Sequence, residues 1–179
     1  MSPESGGKSV SDTTIATTPI AVRKLGHLVY EVSDIERSTR FWTEILGFTV
    51  SDVNERGMVF LRSGGDHHSI ALVPTAKGAR PDPAAGLQFH HLAMEVGSVE
   101  ELFAARAFLR ERRIPVSYEG RRGPGGNTGV EFEDPDGYTF EIYADMDQVA
   151  EDGRSRPAEQ FRRATSLEAA VAEPLPPSW

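Results

Sequence analysis

Three side chains in this sequence have the type and spacing to hold a divalent metal: His27, His91 and Glu141. The histidines open two matching runs, His27-Leu-Val-Tyr-Glu-Val32 and His91-Leu-Ala-Met-Glu-Val96, 64 residues apart. Each run alternates like a strand, so His27, Val29 and Glu31 share one face and Leu28, Tyr30 and Val32 the other. The second set is larger and more apolar. It packs under helices and leaves the histidine on the open face, and the same holds around His91. Glu141 lies in Asp134-Pro-Asp-Gly-Tyr-Thr-Phe-Glu-Ile-Tyr143. There Asp-Pro-Asp-Gly makes a turn and the return strand alternates. A carboxylate in so apolar a strand is costly to bury without a cation. Two imidazoles and one carboxylate are a donor set for non-haem Fe(II) with positions left open. The chain has no Cys, which excludes disulfides, thiolate metal sites and cysteine nucleophiles.

These residues need elements to bring them together. The sequence predicts strands over residues 24–32, 48–54, 58–62 and 68–73. A helix from Ile35 to Leu46 follows the first, capped by Ser33 or Asp34 and stopped at Gly47. The pattern then repeats. A strand over 89–96 leads into a helix capped by Ser98, with Glu101 three residues on, running to about Arg113. Further strands fall near 115–118, 129–133 and 138–143. The body therefore reads as βαβββ twice, in modules 23–75 and 88–146 of a domain spanning 23–146. The expected fold is α+β: two βαβββ modules forming a curved mixed-sheet cup with helices outside. Pseudo-symmetry would bring His27 and His91 together in that cup. Residues 1–22, rich in Ser, Thr, Gly and Pro, read as a flexible lead. Residues 147–179 read as an extension with a helix over about Ala158–Ala172, capped by Ser155 and ended by the Pro cluster after Glu173.

Composition narrows the function. With 19 Lys+Arg against 27 Asp+Glu, the net charge of -8 argues against a nucleic-acid partner. The basic cluster Arg106, Arg110, Arg112 and Arg113 reads as solvated or interfacial. No apolar run reaches the roughly 18 residues of a membrane span. The N-terminus lacks the pattern of a signal peptide, so the cytoplasm is the expected location. The Gly123–Gly126 run lacks the setting of a phosphate cradle and reads as a loop at the cup mouth.

Residues 24–146 resemble the vicinal oxygen chelate superfamily, which includes glyoxalase I, bleomycin-resistance proteins and type I extradiol dioxygenases. The matching signatures are Gly26-His27-Leu-Val-Tyr-Glu-Val32, His90-His91-Leu-Ala-Met-Glu-Val96, and Asp134-Pro-Asp-Gly137 followed by Glu141. The resemblance implies that His27, His91 and Glu141 are the metal ligands. His67-His68-Ser-Ile-Ala-Leu-Val-Pro74 looks like a strand of the extradiol dioxygenases, in which the residue matching His68 is the acid/base. Ala71 stands where glyoxalase-like and epimerase-like members carry a fourth ligand. Two departures bear on the substrate. The Tyr and His usual in the dioxygenases are here Glu131 and Arg122. Arg122 would receive a substrate carboxylate. Glu131 would pair with Arg122 or a substrate amine, or both would be surface residues of a hairpin. His90 and Tyr143, beside the ligands, complete the substrate-contact candidates.

The expected activity is ring cleavage of a catechol-type aromatic by an Fe(II)-dependent extradiol dioxygenase, with Mn(II) or another divalent metal as the alternative cofactor. Its partners would be a small aromatic, O2 and a second copy of the chain, since the open sheet edges need covering. The alternatives are an oxygen-independent isomerase, epimerase or lyase on the same fold, or a non-enzymatic drug-binding resistance protein.

Overall fold

The computed structural model describes residues 22–82, 84 and 89–177. Apart from Val22, the N-terminal lead expected over 1–22 lies outside the described residues. The first module is β1 (Leu28–Val32), α1 (Ile35–Arg40), β2 (Thr49–Val53), β3 (Val59–Arg62) and β4 (Ile70–Pro74). The second is β5 (Leu92–Glu95), α2 (Val99–Glu111), β6 (Val116–Arg121), β7 (Thr128–Glu133) and β8 (Thr139–Ala144). Each builds a four-stranded mixed sheet, ordered β1-β4-β3-β2 and β5-β8-β7-β6. In both, the first strand runs parallel to the last. The chain thus has two βαβββ modules of α+β type, as the repeat predicts.

Local chemistry sets the helix starts. Asp34 caps α1 by accepting the Arg37 N–H at 3.0 Å. Ser98 caps α2 by accepting the Glu101 N–H, and Glu101 reaches back to the Gly97 N–H at 2.7 Å. The first helix does not stay regular to Leu46. It widens into a π turn over Phe41–Ile45, closed by the Leu46 N–H on the Phe41 carbonyl at 3.3 Å. Consecutive Phe41 and Trp42 are thereby both buried, and Gly47 ends the element at φ 72°.

One apolar core serves both modules. Trp42 stacks edge-on against Phe140 with centroids 5.2 Å apart, and Phe41 meets Phe132 at 6.3 Å. A polar seam runs beside these rings. Asp136 accepts the Ser33 N–H at 2.8 Å and pairs with Arg37. Asp134 accepts the Tyr30 hydroxyl, which in turn accepts the Trp42 indole N–H at 2.7 Å. The Asp-Pro-Asp-Gly turn of the second module therefore fastens onto β1 and α1 of the first.

The modules join through the strand faces that carry Tyr30, Val32, Phe140 and Ile142. Alternation turns the faces bearing His27 and Glu141 away from this shared core. The two sheets are separate ladders. The paired modules fit the expected mixed-sheet fold, while among the described residues no cluster of three His, Asp or Glu side chains joins His27 to His91 and Glu141.

The extension differs from the expected helix over 158–172. Ala158–Gln160 make one 3-10 turn, residues 161–165 are non-helical, and α3 covers only Leu167–Ala172 with Ser166, not Ser155, as its cap. Arg121 and Ala164 exchange backbone hydrogen bonds of 2.9 Å each, tying residue 164 to the edge of β6. That bridge competes with helix formation and wins. The Arg121 guanidinium donates to the carbonyls of Arg162, Ala170 and Glu173. Arg156 pairs with Asp147 at 2.7 Å. Among the described residues no helix is long and apolar enough to cross a membrane.

Candidate metal centre

His27 and His91 each stand one residue before the first strand of their module. The registers reveal their mates. Ala93 pairs with Glu141 across β5 and β8, and Val29 pairs with Ala71 across β1 and β4. Each of these positions lies two residues beyond its histidine. Ala71 is therefore the repeat counterpart of Glu141, and the first module has an alanine methyl where the second has a carboxylate.

In the second module, His91 Nε2 lies 3.4 Å from Glu141 Oε2. Burial raises the Glu141 carboxyl above its ordinary value, with His91 opposing and Glu131 adding to the rise. Asn127 donates to Glu141 Oε1 at 3.2 Å. A Cβ on Gly129 would fall 2.2 Å from that same oxygen, so the carboxylate rests on bare backbone. His90 Nδ1 sits 2.7 Å from His91 Nδ1. One ring donates to the other, which leaves His91 Nε2 pointing at Glu141.

In the first module, the His27 and His68 rings lie 4.7 Å apart. Phe60 packs edge-on against His68 at 5.1 Å. His67 Nδ1 is 3.0 Å from His68 Nδ1, so Nε2 is the His68 nitrogen without a hydrogen bond among the described residues. Among the described residues no three of these His, Asp and Glu side chains converge on one point. The candidates pair off as two half-sites, His27 beside His68, the acid/base candidate, and His91 beside Glu141. Their types suit Fe(II), Mn(II) or another divalent ion. A half-buried carboxylate facing one imidazole is a partial cation site.

The remaining candidates cluster on the open face of the second sheet. Glu131 lies directly across from Glu141 on β7. It is buried and held by Arg122 through a two-pronged pair, Nε at 3.0 Å and Nη2 at 2.7 Å. Arg122 lies flat on the Tyr118 ring, 3.7 Å from its centroid. Of the alternatives open from the sequence, the structure has the Arg122–Glu131 pair. Tyr143 follows Glu141 on the same face, opposite Gly129, and burial raises its hydroxyl above the ordinary value. Sequence reasoning missed Asn127 and Gly129. A glycine inside a strand, six residues after the Gly123–Gly126 run begins, was the available signal.

The family model described as Glyoxalase/Bleomycin resistance protein/Dioxygenase superfamily matches residues 24–142. A 2,2',3-trihydroxybiphenyl dioxygenase of Sphingomonas paucimobilis is 37% identical over 93 residues, covering 50% of this chain and 29% of that protein. A manganese-dependent 2,3-dihydroxybiphenyl 1,2-dioxygenase of Geobacillus genomosp. 3 is 29% identical over 71% of this chain and 38% of its own length. The chain thus spans well under half of these dioxygenases. A probable lactoylglutathione lyase of Vibrio parahaemolyticus is 25% identical over 65% of this chain and 86% of its own length. Among solved structures, a glyoxalase/dioxygenase from Nostoc punctiforme superposes with a TM-score of 0.55 at 25% identity, covering 73% of this chain and 99% of that one.

Proposed function

The chain belongs to the Glyoxalase/Bleomycin resistance protein/Dioxygenase superfamily, and from that premise we propose that it is an Fe(II)-dependent extradiol dioxygenase cleaving a catechol-type aromatic. The observation that carries this reading is Ala71 at the repeat position of Glu141. Three protein ligands rather than four leave room at the metal for both catechol oxygens and O2. His91 and Glu141 of one chain would hold the ion, joined by His27 of a second copy, because among the described residues of one chain no third ligand converges on that pair. Mn(II) satisfies the same donors. Bound metal supplies the Lewis acidity that eases loss of the first catechol proton and the redox chemistry toward O2.

His68 takes the second proton at Nε2 and returns it later, a task suited to an imidazole near neutral pH. Phe60 holds its ring and His67 engages its Nδ1. His90 orients His91 from behind, and Asn127 with Gly129 fixes the Glu141 carboxylate. The substrate ring would lie across the open face near Tyr143.

Anaerobic loading with Fe(II), a panel of catechols and oxygen-electrode recording test the reading. Oxygen uptake matched by a yellow ring-opened product supports it. In His68→Phe, iron stoichiometry should hold while turnover falls about 100-fold, the lower end of what a positioned acid/base contributes. Unchanged turnover would remove the assigned proton carrier.

A second reading rests on the lyases among the relatives, such as the probable lactoylglutathione lyase of Vibrio parahaemolyticus at 25% identity over 65% of this chain. An oxygen-independent lyase or isomerase would work under argon with Zn or Ni, and such activity would select it.

A further inference from the structure

The edge of the second sheet holds a cavity that the proton chemistry leaves unused. Its volume is about 200 Å3, and its walls are Tyr118, Arg121, Arg122, Arg163, Ala164 and Thr165. Three of these come from the extension, beyond the family match at 24–142. They are in place because residue 164 is bridged to β6 and Tyr118 donates its hydroxyl to the Ala164 carbonyl at 3.2 Å.

The wall carries guanidinium donors with unused capacity. Arg122 gives Nε and Nη2 to Glu131, and its Nη1 makes no hydrogen bond among the described residues. Arg163 is exposed and has neither an ion pair nor a hydrogen bond among the described residues. The Arg121 guanidinium donates only to backbone carbonyls. Glu131 answers Arg122, with Glu141 beyond it, and Glu173 and Asp147 lie toward Arg121. That leaves Arg163 as the cation of this wall with neither an ion pair nor a hydrogen bond among the described residues. Thr165 adds a hydroxyl at the rim.

The cavity also lies in line with the metal centre. β6 is two strands from β8, a separation of about 10 Å, and Arg122 and Glu131 bridge the gap toward Glu141. An aromatic ring at Glu141 with a short acidic arm spans that distance.

We propose that this cavity is an anion subsite that receives the carboxylate of an aromatic acid, with Arg163 and the free edge of Arg122 as its donors. The position of the ring rests on the ring-cleavage reading; the carboxylate contact does not. Exposed guanidinium groups make charge-assisted bonds to carboxylate that salt weakens.

The test separates the two. Binding of phenylpropanoate and of its neutral amide is measured by calorimetry on the full chain without added metal. The acid should bind about tenfold more tightly than the amide, with the preference shrinking at high salt. Arg163→Gln should remove most of that preference and Arg163→Lys should retain part of it. Turnover is then compared for dihydrocaffeate and its amide. Arg163→Gln should raise KM for the acid about five- to tenfold and leave the amide unchanged. Equal binding of acid and amide, or an acid preference intact in Arg163→Gln, overturns the subsite. A preserved acid preference with no oxygen uptake on either catechol overturns the ring-cleavage reading and leaves the subsite standing.

Discussion

Gly129 decides where the Glu141 carboxylate rests. A Cβ there would meet Oε1 at 2.2 Å and the carboxyl carbon at 3.0 Å. Gly129→Ala should therefore push the carboxylate off its seat while leaving the strand ladder intact, since Gly129 has no positive φ to preserve. The expected result is a metal affinity lowered about 10- to 100-fold, the range for disturbed outer-shell support, with an unchanged circular dichroism spectrum. Unchanged affinity would mean that Glu141 is no ligand. At this scale the sequence was partly legible. His27, His91 and Glu141 announced themselves by repeat and by a charge misplaced in an apolar strand. Ala71 as the mate of Glu141 needed the strand registers. The Arg122–Glu131 pair was one of several open readings, because nothing in the spacing of residues 122 and 131 fixes which way two long side chains turn.

The Asp-Pro-Asp-Gly turn has more to do than reverse the chain. Asp134 accepts the N–H groups of Asp136 and Tyr138 through Oδ1, each at 2.9 Å, and the Tyr30 hydroxyl through Oδ2. Burial raises its carboxyl above the ordinary value, and the Asp136 charge adds to that while the backbone N–H groups oppose it. Its folded value lies above its unfolded one. Below the ordinary carboxylate range it is protonated in both states and carries no penalty. As pH rises through the raised value the buried charge forms, and stability falls before levelling off. Asp134→Asn keeps an oxygen for both turn bonds and never ionises. Between about pH 4 and about pH 7 the variant should gain stability relative to the parent, as read by urea unfolding at each pH. A gap that does not move with pH would show that Asp134 is not the titrating group. Element starts were legible because caps are local chemistry, as Asp34 and Ser98 demonstrate. The π turn at Phe41 and the shortened α3 were not. Each answers to a distant partner: Phe140 and Phe132 for the first, the β6 edge for the second.

Two half-sites on one chain are a statement about the whole molecule. Trp42, Phe41 and Phe140 bind the modules through the faces opposite His27 and Glu141; the repeat visible in the sequence predicted both modules and was read as bringing the histidine faces together, but which faces pack is a separate choice. Apolar area decides that choice, and the histidines follow. In the proposed reading the third ligand comes from a second copy related by a two-fold axis, where His27 of each chain would meet His91 and Glu141 of the other, two sites per dimer. Val29, exposed on the His27 face, and Phe89, just ahead of His91, are the apolar groups such contact would cover. Complementation tests this directly. His27→Ala and Glu141→Ala chains should each be inactive alone. Unfolded together and refolded in equal amounts, half of the dimers are mixed, and each mixed dimer pairs one intact His27 with one intact His91 and Glu141. The mixture should recover about one quarter of the parent's activity and bound metal. No recovery, with dimers present by light scattering, would place all three ligands within one chain and require the modules to separate and close before the metal binds.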